Sequence, residues 1–103
     1  MQAGKMDREI VIKVPTVTQD THGGAVHTYD TTYSVWAERM EKGGRRFLAA
    51  AQLQPGLERM WRIRYRADFD ESALITDDGE DFGILSIHEI GRREGLEIWG
   101  RLP

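Results

Sequence analysis

Residues 61–66 read Trp-Arg-Ile-Arg-Tyr-Arg, and this stretch does most to decide the fold of the 103-residue chain. Apolar and charged residues alternate strictly along it, which is the period of a β-strand whose two faces meet different surroundings. Successive residues on one face of a strand lie about 6.6 Å apart, so the three arginines form a regular cationic row. We expect Trp61, Ile63 and Tyr65 to fill a core, with the arginines facing away from it.

The composition is that of one folded domain spanning residues 1–103. Hydrophobic residues make up 40% of the chain and charged residues 30%, which separates it from disordered sequences. There is no cysteine, so the chain has no disulfide and no thiolate metal site. No apolar run approaches the roughly 20 residues of a membrane-spanning helix, and we expect no membrane partner.

The charge is uneven along the chain. The net charge is −3, and the tract 68–81 contains seven carboxylates and neither lysine nor arginine. Proteins that grip nucleic acid through its phosphates usually carry an excess of basic residues. The composition therefore gives no support to a general nucleic-acid-binding role.

Strand signals surround the 61–66 stretch. Pro15 is expected to stop the first strand or to mark a sheet edge, and Asp77-Asp78-Gly79 predicts a tight hairpin turn. The pattern predicts a mainly β fold, a small antiparallel barrel of about six strands or a sandwich, with one short helix or mobile loop. The predicted strands are residues 10–14, 25–32, 33–40, 61–66, 73–76, 80–90 and 96–102.

A short helix is predicted over residues 45–54, which are rich in helix-forming residues. A Gly-Gly hinge at 43–44 precedes it and Pro55-Gly56 ends it. A helix of this length is marginal in water, so it must pack on its own barrel or on a neighbouring chain. The residues that the helical spacing places on its packed face are Phe47, Leu48 and Ala51.

Motifs for catalysis or for cofactor binding are missing. The histidines His22, His27 and His88 are too scattered for the three or four convergent ligands of a metal site. The sequence has neither a G-x-S-x-G nucleophile motif nor a phosphate-binding glycine loop. We therefore expect no enzymatic activity, no metal and no cofactor.

The arginine row and two tryptophans have more than one interpretation. Guanidinium groups bind phosphates and acidic partners well, but the same row fits a solvated sheet face paired with carboxylates, or a contact between subunits. Trp36 and Trp99 are out of phase with their apolar neighbours, so at least one tryptophan is expected to face outward, as at many interfaces. The candidate subunit or partner contacts are Arg62, Arg64, Arg66, Trp36 and Trp99.

Six pieces of sequence follow one another in a known order over nearly the whole chain. The pieces are Ala3-Gly4-Lys5 ahead of Arg8-Glu9-Ile10-Val11-Ile12, Thr18-Gln19-Asp20 with Gly23-Gly24, Val35-Trp36-Ala37-Glu38, Gly44 to Gln54, Ile63-Arg64-Tyr65-Arg66, and Asp78-Gly79-Glu80-Asp81-Phe82-Gly83-Ile84. Together they resemble the head–tail joining family of tailed phages and prophages, also called head–tail adaptors or stoppers. Arg46 departs from the pattern, since relatives often carry an acidic residue there, and Asp7 stands where many are basic.

The resemblance implies a small β-barrel that assembles as a ring in the virion after synthesis in the cytoplasm of a bacterial host. The ring would dock beneath the portal and its adaptor, as a collar of the channel through which DNA leaves the capsid. The implied partners are further copies of the chain, the portal or adaptor protein and tail-completion proteins. DNA would pass through without sequence-specific binding.

In some relatives the segment that matches residues 41–55 projects towards the channel axis and helps to retain packaged DNA. We therefore expect a mobile segment at about 41–56 that acts as a gate or as a clasp between subunits. The alternative is that its helix packs across an open end of its own barrel. The candidate residues of this segment are Gly43, Gly44, Arg45, Arg46, Phe47, Leu48, Gln52 and Gln54.

A non-enzymatic ring protein of the head–tail connector is thus the leading interpretation. One alternative is a small barrel that binds single-stranded nucleic acid through the arginine row and exposed aromatic residues. A second alternative is a tail-completion protein with the same kind of β-domain.

Overall fold

The computed structural model describes residues 6–19, 23–40 and 42–102. Six antiparallel strands close into a barrel in the order β1-β2-β3-β6-β5-β4, which confirms the predicted barrel and excludes the sandwich. Among the described residues, no helix is long and apolar enough to cross a membrane. The elements are β1 (Arg8–Gln19), β2 (Ala25–Met40), α1 (Arg45–Leu53), β3 (Arg59–Arg64), β4 (Leu74–Asp77), β5 (Glu80–Ile90) and β6 (Gly95–Arg101). The predictions that involve Ala3, Gly4, Lys5, Asp20, His22 and Glu41 lie outside the described residues.

The first two strands are longer than predicted. β2 is one strand of 16 residues rather than two, because neither glycine nor proline interrupts residues 25–40 and its pairing with β1 extends from Ala25 to Ala37, across the expected break. Pro15 does not end β1 either. The pairing register shifts between Val14 and Thr16, so the strand accommodates the missing N–H of Pro15 at an irregularity and then continues.

The core of the barrel is built around β3. Trp61 and Ile63 are buried as the alternation predicted, and the Trp61 ring meets the ring of Phe82 edge-on at 5.4 Å between centroids. β3 ends at Arg64, earlier than expected, because the Tyr65 N–H bonds to the carbonyl of Glu94 instead of to β2. The Tyr65 ring is therefore only partly buried against the core. The buried members of the core are Ile10, Ile12, Ala37, Trp61, Ile63, Ala73, Ile75, Phe82, Ile84, Leu96 and Ile98.

The hairpin between β4 and β5 turns at Asp78 and Gly79. Both residues have positive φ, 56° and 79°, as a two-residue type I′ turn requires. This confirms the predicted turn. The residue before it, Asp77, is 1% exposed, which the sequence pattern did not indicate.

Asp77 is a buried carboxylate that ties together three strands. Its Oδ1 accepts a hydrogen bond from Arg8 Nε at 2.8 Å, and its Oδ2 accepts from Trp61 Nε1 at 2.9 Å and Arg59 Nη1 at 3.2 Å. Burial would raise the pKa of Asp77, but the hydrogen bonds from Trp61 and Arg8 outweigh it and hold the pKa below its ordinary value. The ionised carboxylate thus joins β1, β3 and β4 at one end of the barrel.

β1 and β2 continue past the barrel as a two-stranded arm, defined as residues 14–19 and 25–31. β4 pairs with β1 only over Val11–Lys13, whereas β1 and β2 pair with each other as far as Gln19 and Ala25. The molecule is accordingly elongated, 49 Å long and 28 by 27 Å across. The hairpin therefore carries backbone edges that the barrel does not cover.

The Asp77 contacts predict a specific stability effect. Asp77→Asn removes the charge that Arg8 and Arg59 meet and should lower the free energy of unfolding by about 2 kcal/mol, measured by urea denaturation at pH 7. The control is Asp78→Asn, because the neighbouring side chain is 76% exposed and asparagine tolerates positive φ. Equal stability of the two variants would contradict a structural role for Asp77.

Candidate functional site

Helix α1 packs on the outer wall of the barrel and not across its open end. Met60 of β3 and Trp99 of β6 are cross-strand partners, and both point outward because Trp61 next to Met60 points into the core. The helix covers this outward pair. The cluster that joins helix and wall consists of Phe47, Ala50, Leu57, Met60 and Trp99.

Two predictions about this region are wrong. Trp99 does face away from the barrel interior, but the helix leaves only 7% of it exposed, so it is not a free contact surface. Leu48 is 54% exposed instead of packed. The helix buries Phe47 and Ala50, which lie three residues apart, and this rotation turns Leu48 towards solvent.

A second buried carboxylate, Glu97, fastens the helix to the wall. Glu97 Oε1 accepts hydrogen bonds from Arg46 Nη2 and from Trp99 Nε1, both at 2.8 Å. Glu97 Oε2 accepts from Arg62 Nε at 3.1 Å. We call these four residues the Glu97 clamp. It connects the first turn of α1 to β3 and β6.

The clamp carboxylate is ionised at neutral pH. Burial would raise the pKa of Glu97, but the hydrogen bonds from Trp99, Arg46 and Arg62 outweigh it and hold the pKa below its ordinary value of 4.5. Sequence analysis named Arg46, Arg62 and Trp99 but missed the residue that unites them. The one sequence signal for Glu97 was its position as a charged residue between the apolar positions of a strand. That strand lies beside the arginine row.

The other residues of the predicted gate segment flank or line the helix. Gly44 is the N-cap and accepts a hydrogen bond from the Leu48 N–H at 3.0 Å, and the Gln54 N–H closes the helix on Ala50 O at 2.9 Å. Ahead of the helix, Lys42 forms an ion pair with Glu58 at 2.8 Å. The exposed residues of α1 and its hinge include Gly43, Arg45, Gln52 and Leu53.

The arginine row is not a uniform cationic stripe. Arg62 is engaged by Glu97, and Arg66 lies beyond the strand, where it binds Asp68 through Nε at 2.7 Å and Nη2 at 2.6 Å. Arg66 also covers the ring of Tyr33 at 4.4 Å. Arg64 is exposed and has no hydrogen bond or ion pair with any residue that the structure describes. Two of the three guanidiniums are thus neutralised inside the chain.

A groove of about 380 Å³ lies beside Arg64, where β3 separates from β2. Trp36 is its most exposed aromatic residue, with 58% of its surface in contact with solvent, which confirms that one tryptophan faces outward. We call this feature the Trp36 groove. Its lining comprises Met6, Val35, Trp36, Ile63, Tyr65 and the stems of Arg64 and Arg66.

The groove has the chemistry of a protein contact. Tryptophan and arginine dominate the binding energy of many interfaces, and an apolar floor beside an unpaired guanidinium suits an apolar side chain next to a carboxylate. Within the described ranges, no group of three His, Cys, Asp or Glu residues is placed to hold a metal ion. The fold is thus a small barrel with one exposed groove whose composition is typical of protein interfaces.

Comparison with protein families identifies which structural protein it is. The phage head completion protein family matches residues 1–101, so the chain belongs to that family and is a structural protein of the virion. This confirms the resemblance to head–tail joining proteins. Comparison with the curated proteins gives no match.

Two solved structures share the fold over nearly the whole chain. A protein from Shigella flexneri 2a, known from its solution structure, is 24% identical with a TM-score of 0.78, and the match covers 99% of this chain and 96% of that one. A chain of the virion of a native gene transfer agent particle is 17% identical with a TM-score of 0.65, and the match covers 92% of each chain. The barrel and its appended helix are thus a recurring fold.

The Glu97 clamp predicts how stability depends on pH. Because the pKa of Glu97 is lower in the folded state, its contribution is fully present above about pH 4.5 and is lost as the pH falls through the folded value. Glu97→Gln should cost about 2 kcal/mol at pH 7, and the gap to the wild type should narrow below pH 4.5, in urea unfolding between pH 3 and 7.

The matched control for that experiment is Glu71→Gln, which changes an exposed carboxylate in the loop before β4. It should keep both the stability and the pH profile of the wild type. A constant gap between wild type and Glu97→Gln across the pH range would contradict the clamp.

Proposed function

We propose that this chain is the ring-forming joining or stopper protein of a head–tail connector. Copies of the chain dock beneath the portal and its adaptor, attach the tail and help to retain the packaged DNA, without an enzymatic role. The observation that carries the proposal is the Trp36 groove beside the unpaired Arg64.

The groove stands out against the rest of the charged surface. The carboxylates of Asp77 and Glu97 are saturated by arginines and tryptophans, and no buried side-chain polar atom in the described residues lacks a partner. Leaving a tryptophan 58% exposed at the mouth of an apolar groove has no benefit for an isolated barrel. A ring subunit, by contrast, must offer contact surfaces to its neighbours and to the proteins above and below it.

The relatives support the same assignment. The family is one of head completion proteins, and a chain with this fold occurs in the virion of a gene transfer agent. A completion protein acts after the head has formed, at the point where other head or tail proteins must bind. The surface described above supplies such a binding site on an otherwise self-contained barrel.

The charge distribution suits a conduit for DNA. The chain carries a net charge of −3, and Arg62 and Arg66 are held by Glu97 and Asp68. Since every phosphate contact adds salt-dependent affinity, a ring through which DNA slides functions best without a row of free arginines. The same observation disfavours the single-stranded nucleic-acid-binding alternative, which required all three arginines of the row.

Helix α1 is proposed as the gate or clasp of the ring. Its inner face packs on the wall through Phe47 and Ala50, while Leu48 and Leu53 on its outer side are 54% and 80% exposed. Apolar residues on both sides fit a helix that binds its own barrel and also touches a second surface. The Glu97 clamp holds the first turn of α1 on the barrel wall. The outer side of the helix therefore keeps a fixed orientation.

The groove predicts an assembly defect without a folding defect. Arg64→Ala and Trp36→Ala should keep the wild-type melting temperature but weaken self-association or docking onto a purified portal–adaptor complex by more than about tenfold, as expected for central interface residues. Sedimentation velocity and co-purification measure the two effects. Arg92→Ala, at an exposed arginine with no described partner, is the control and should assemble normally.

The Arg64→Ala and Trp36→Ala variants also distinguish the connector function from single-stranded nucleic-acid binding. Normal docking of both variants would contradict the assignment of the Trp36 groove as a contact surface. Oligonucleotide binding that falls steeply with salt and is lost in Arg64→Ala would instead favour the nucleic-acid-binding alternative.

The exposed leucines of α1 predict a defect at a later stage of virion assembly. The double variant Leu48→Glu with Leu53→Glu should fold, since both side chains are exposed, yet yield particles that leak DNA or do not accept tails. Packaged DNA and tailed particles are counted after complementation with each variant. Leu102→Glu, at an exposed leucine outside α1, is the control, and normal virions from the double variant would exclude the gate and clasp roles.

A further inference from the structure

The arm leaves two different strand edges open. β1 is paired with β4 only over Val11–Lys13, so its edge from Val14 to Gln19 has no strand beside it among the described residues. β2 is paired with β3 only over Ala37–Met40. The edge of β2 that faces away from β1 is therefore open from Ala25 to Trp36 among the described residues. A two-stranded ribbon of this kind is marginally stable in water by itself.

The open edge of β2 is unprotected. Soluble proteins usually blunt exposed edges with lysine, proline or a bulge, but residues 25–36 contain neither lysine nor proline. The register shift opposite Pro15 falls between Thr28 and Thr31, and from Thr31 onward β2 pairs with β1 without a further shift. The exposed side chains of residues 28–36 are uncharged apart from Asp30. They include Tyr29, Thr31, Thr32 and Ser34.

The open edge of β1 begins at an irregularity. Pro15 and the register shift beside it prevent β4 from extending its pairing along β1. Beyond that point, residues 16–19 are a regular strand that is free on one side. The same hairpin thus presents one edge on each of its two sides.

We propose that the β1 edge of one copy, residues 16–19, pairs with the β2 edge of the next copy, residues 31–36, to form a β-sheet that runs between subunits. The inference rests on the proposed ring. Because the two paired edges differ, the contact is head-to-tail, and every added copy again offers one edge of each kind until the assembly closes. Pairing of identical edges would stop at a dimer.

A second copy of the chain is the occupant that charge and position favour. Asp30 is the one charged residue in the stretches 14–19 and 25–34, so arms can approach each other although each chain carries a net charge of −3. The open β2 edge ends at Trp36, which lines the Trp36 groove. A neighbouring copy that adds a strand to this edge therefore contacts both the β2 edge and the Trp36 groove from the same side.

Disulfide trapping tests the contact directly, since the chain contains no cysteine. In the same chain Thr32 pairs with Lys13, which lies three residues or roughly 10 Å along the strand from Thr16. That separation exceeds the limit of about 7 Å between Cα atoms for a disulfide, so a bond within one chain is excluded. The variants combine Thr16→Cys with either Thr32→Cys or Ser34→Cys, to scan the register.

The expected result, after oxidation of the full chain, is a ladder of covalent oligomers from at least one double variant. Each single-cysteine variant should give monomers, or dimers at low yield. Dimers from Thr32→Cys alone, as abundant as the products of the double variants, would show two-fold pairing and overturn the proposal. Cross-linking only to a portal, adaptor or tail protein would assign the edge to another partner and also overturn it.

The absence of a ladder from both double variants overturns the arm contact as well. Sedimentation velocity and electron microscopy of the wild-type chain, with and without the portal–adaptor complex, then separate the two proposals. Wild-type rings without a ladder leave the proposed function standing, whereas the absence of rings in both settings removes the proposed function too.

Discussion

The alternation of β3 between two buried surroundings is the constraint on which the rest of the structure depends. Trp61 and Ile63 enter the barrel core, whereas Met60 and Arg62, one residue out of step, lie on the outer wall. An outer wall that carries Met60 cannot remain open to water without exposing apolar surface. Helix α1 covers it, and the barrel wall therefore lies between two apolar clusters.

Two buried carboxylates complete this arrangement. Asp77 closes one end of the barrel and Glu97 fastens the helix, and each binds the indole N–H of a tryptophan together with two guanidiniums. Buried charges of this kind are tolerable only when their hydrogen bonds are complete, and here they are. Trp36 and Arg64 take no part in this intramolecular pairing, and they lie together at the Trp36 groove, so a surface that the fold itself does not use is available for partners.

Local patterns explain most of what sequence analysis predicted. The alternation at 61–66, the Asp78-Gly79 turn and the bounds of the helix each follow from neighbouring residues, and the barrel follows from their sum. The clamp was out of reach, because Arg46 and Glu97 are 51 residues apart in sequence and no local signal pairs them. The burial of Trp99 was missed for the same reason, since it depends on where α1 docks. The arm was missed because the predicted first strand covers only residues 10–14, with Pro15 as its end or as the mark of a sheet edge, whereas the strand continues past Pro15 along an open edge.

The central claim is that the Trp36 groove is a surface made to be covered in the virion. Hydroxyl-radical footprinting with mass spectrometry measures this directly, by comparing oxidation of Trp36 in the free chain and in assembled particles. The account predicts strong oxidation of Trp36 in the free chain and protection in the particle. For the region around exposed Arg92 at the β5–β6 turn, the account requires no difference in labelling between the two states. Equal oxidation of Trp36 in both states would contradict the account.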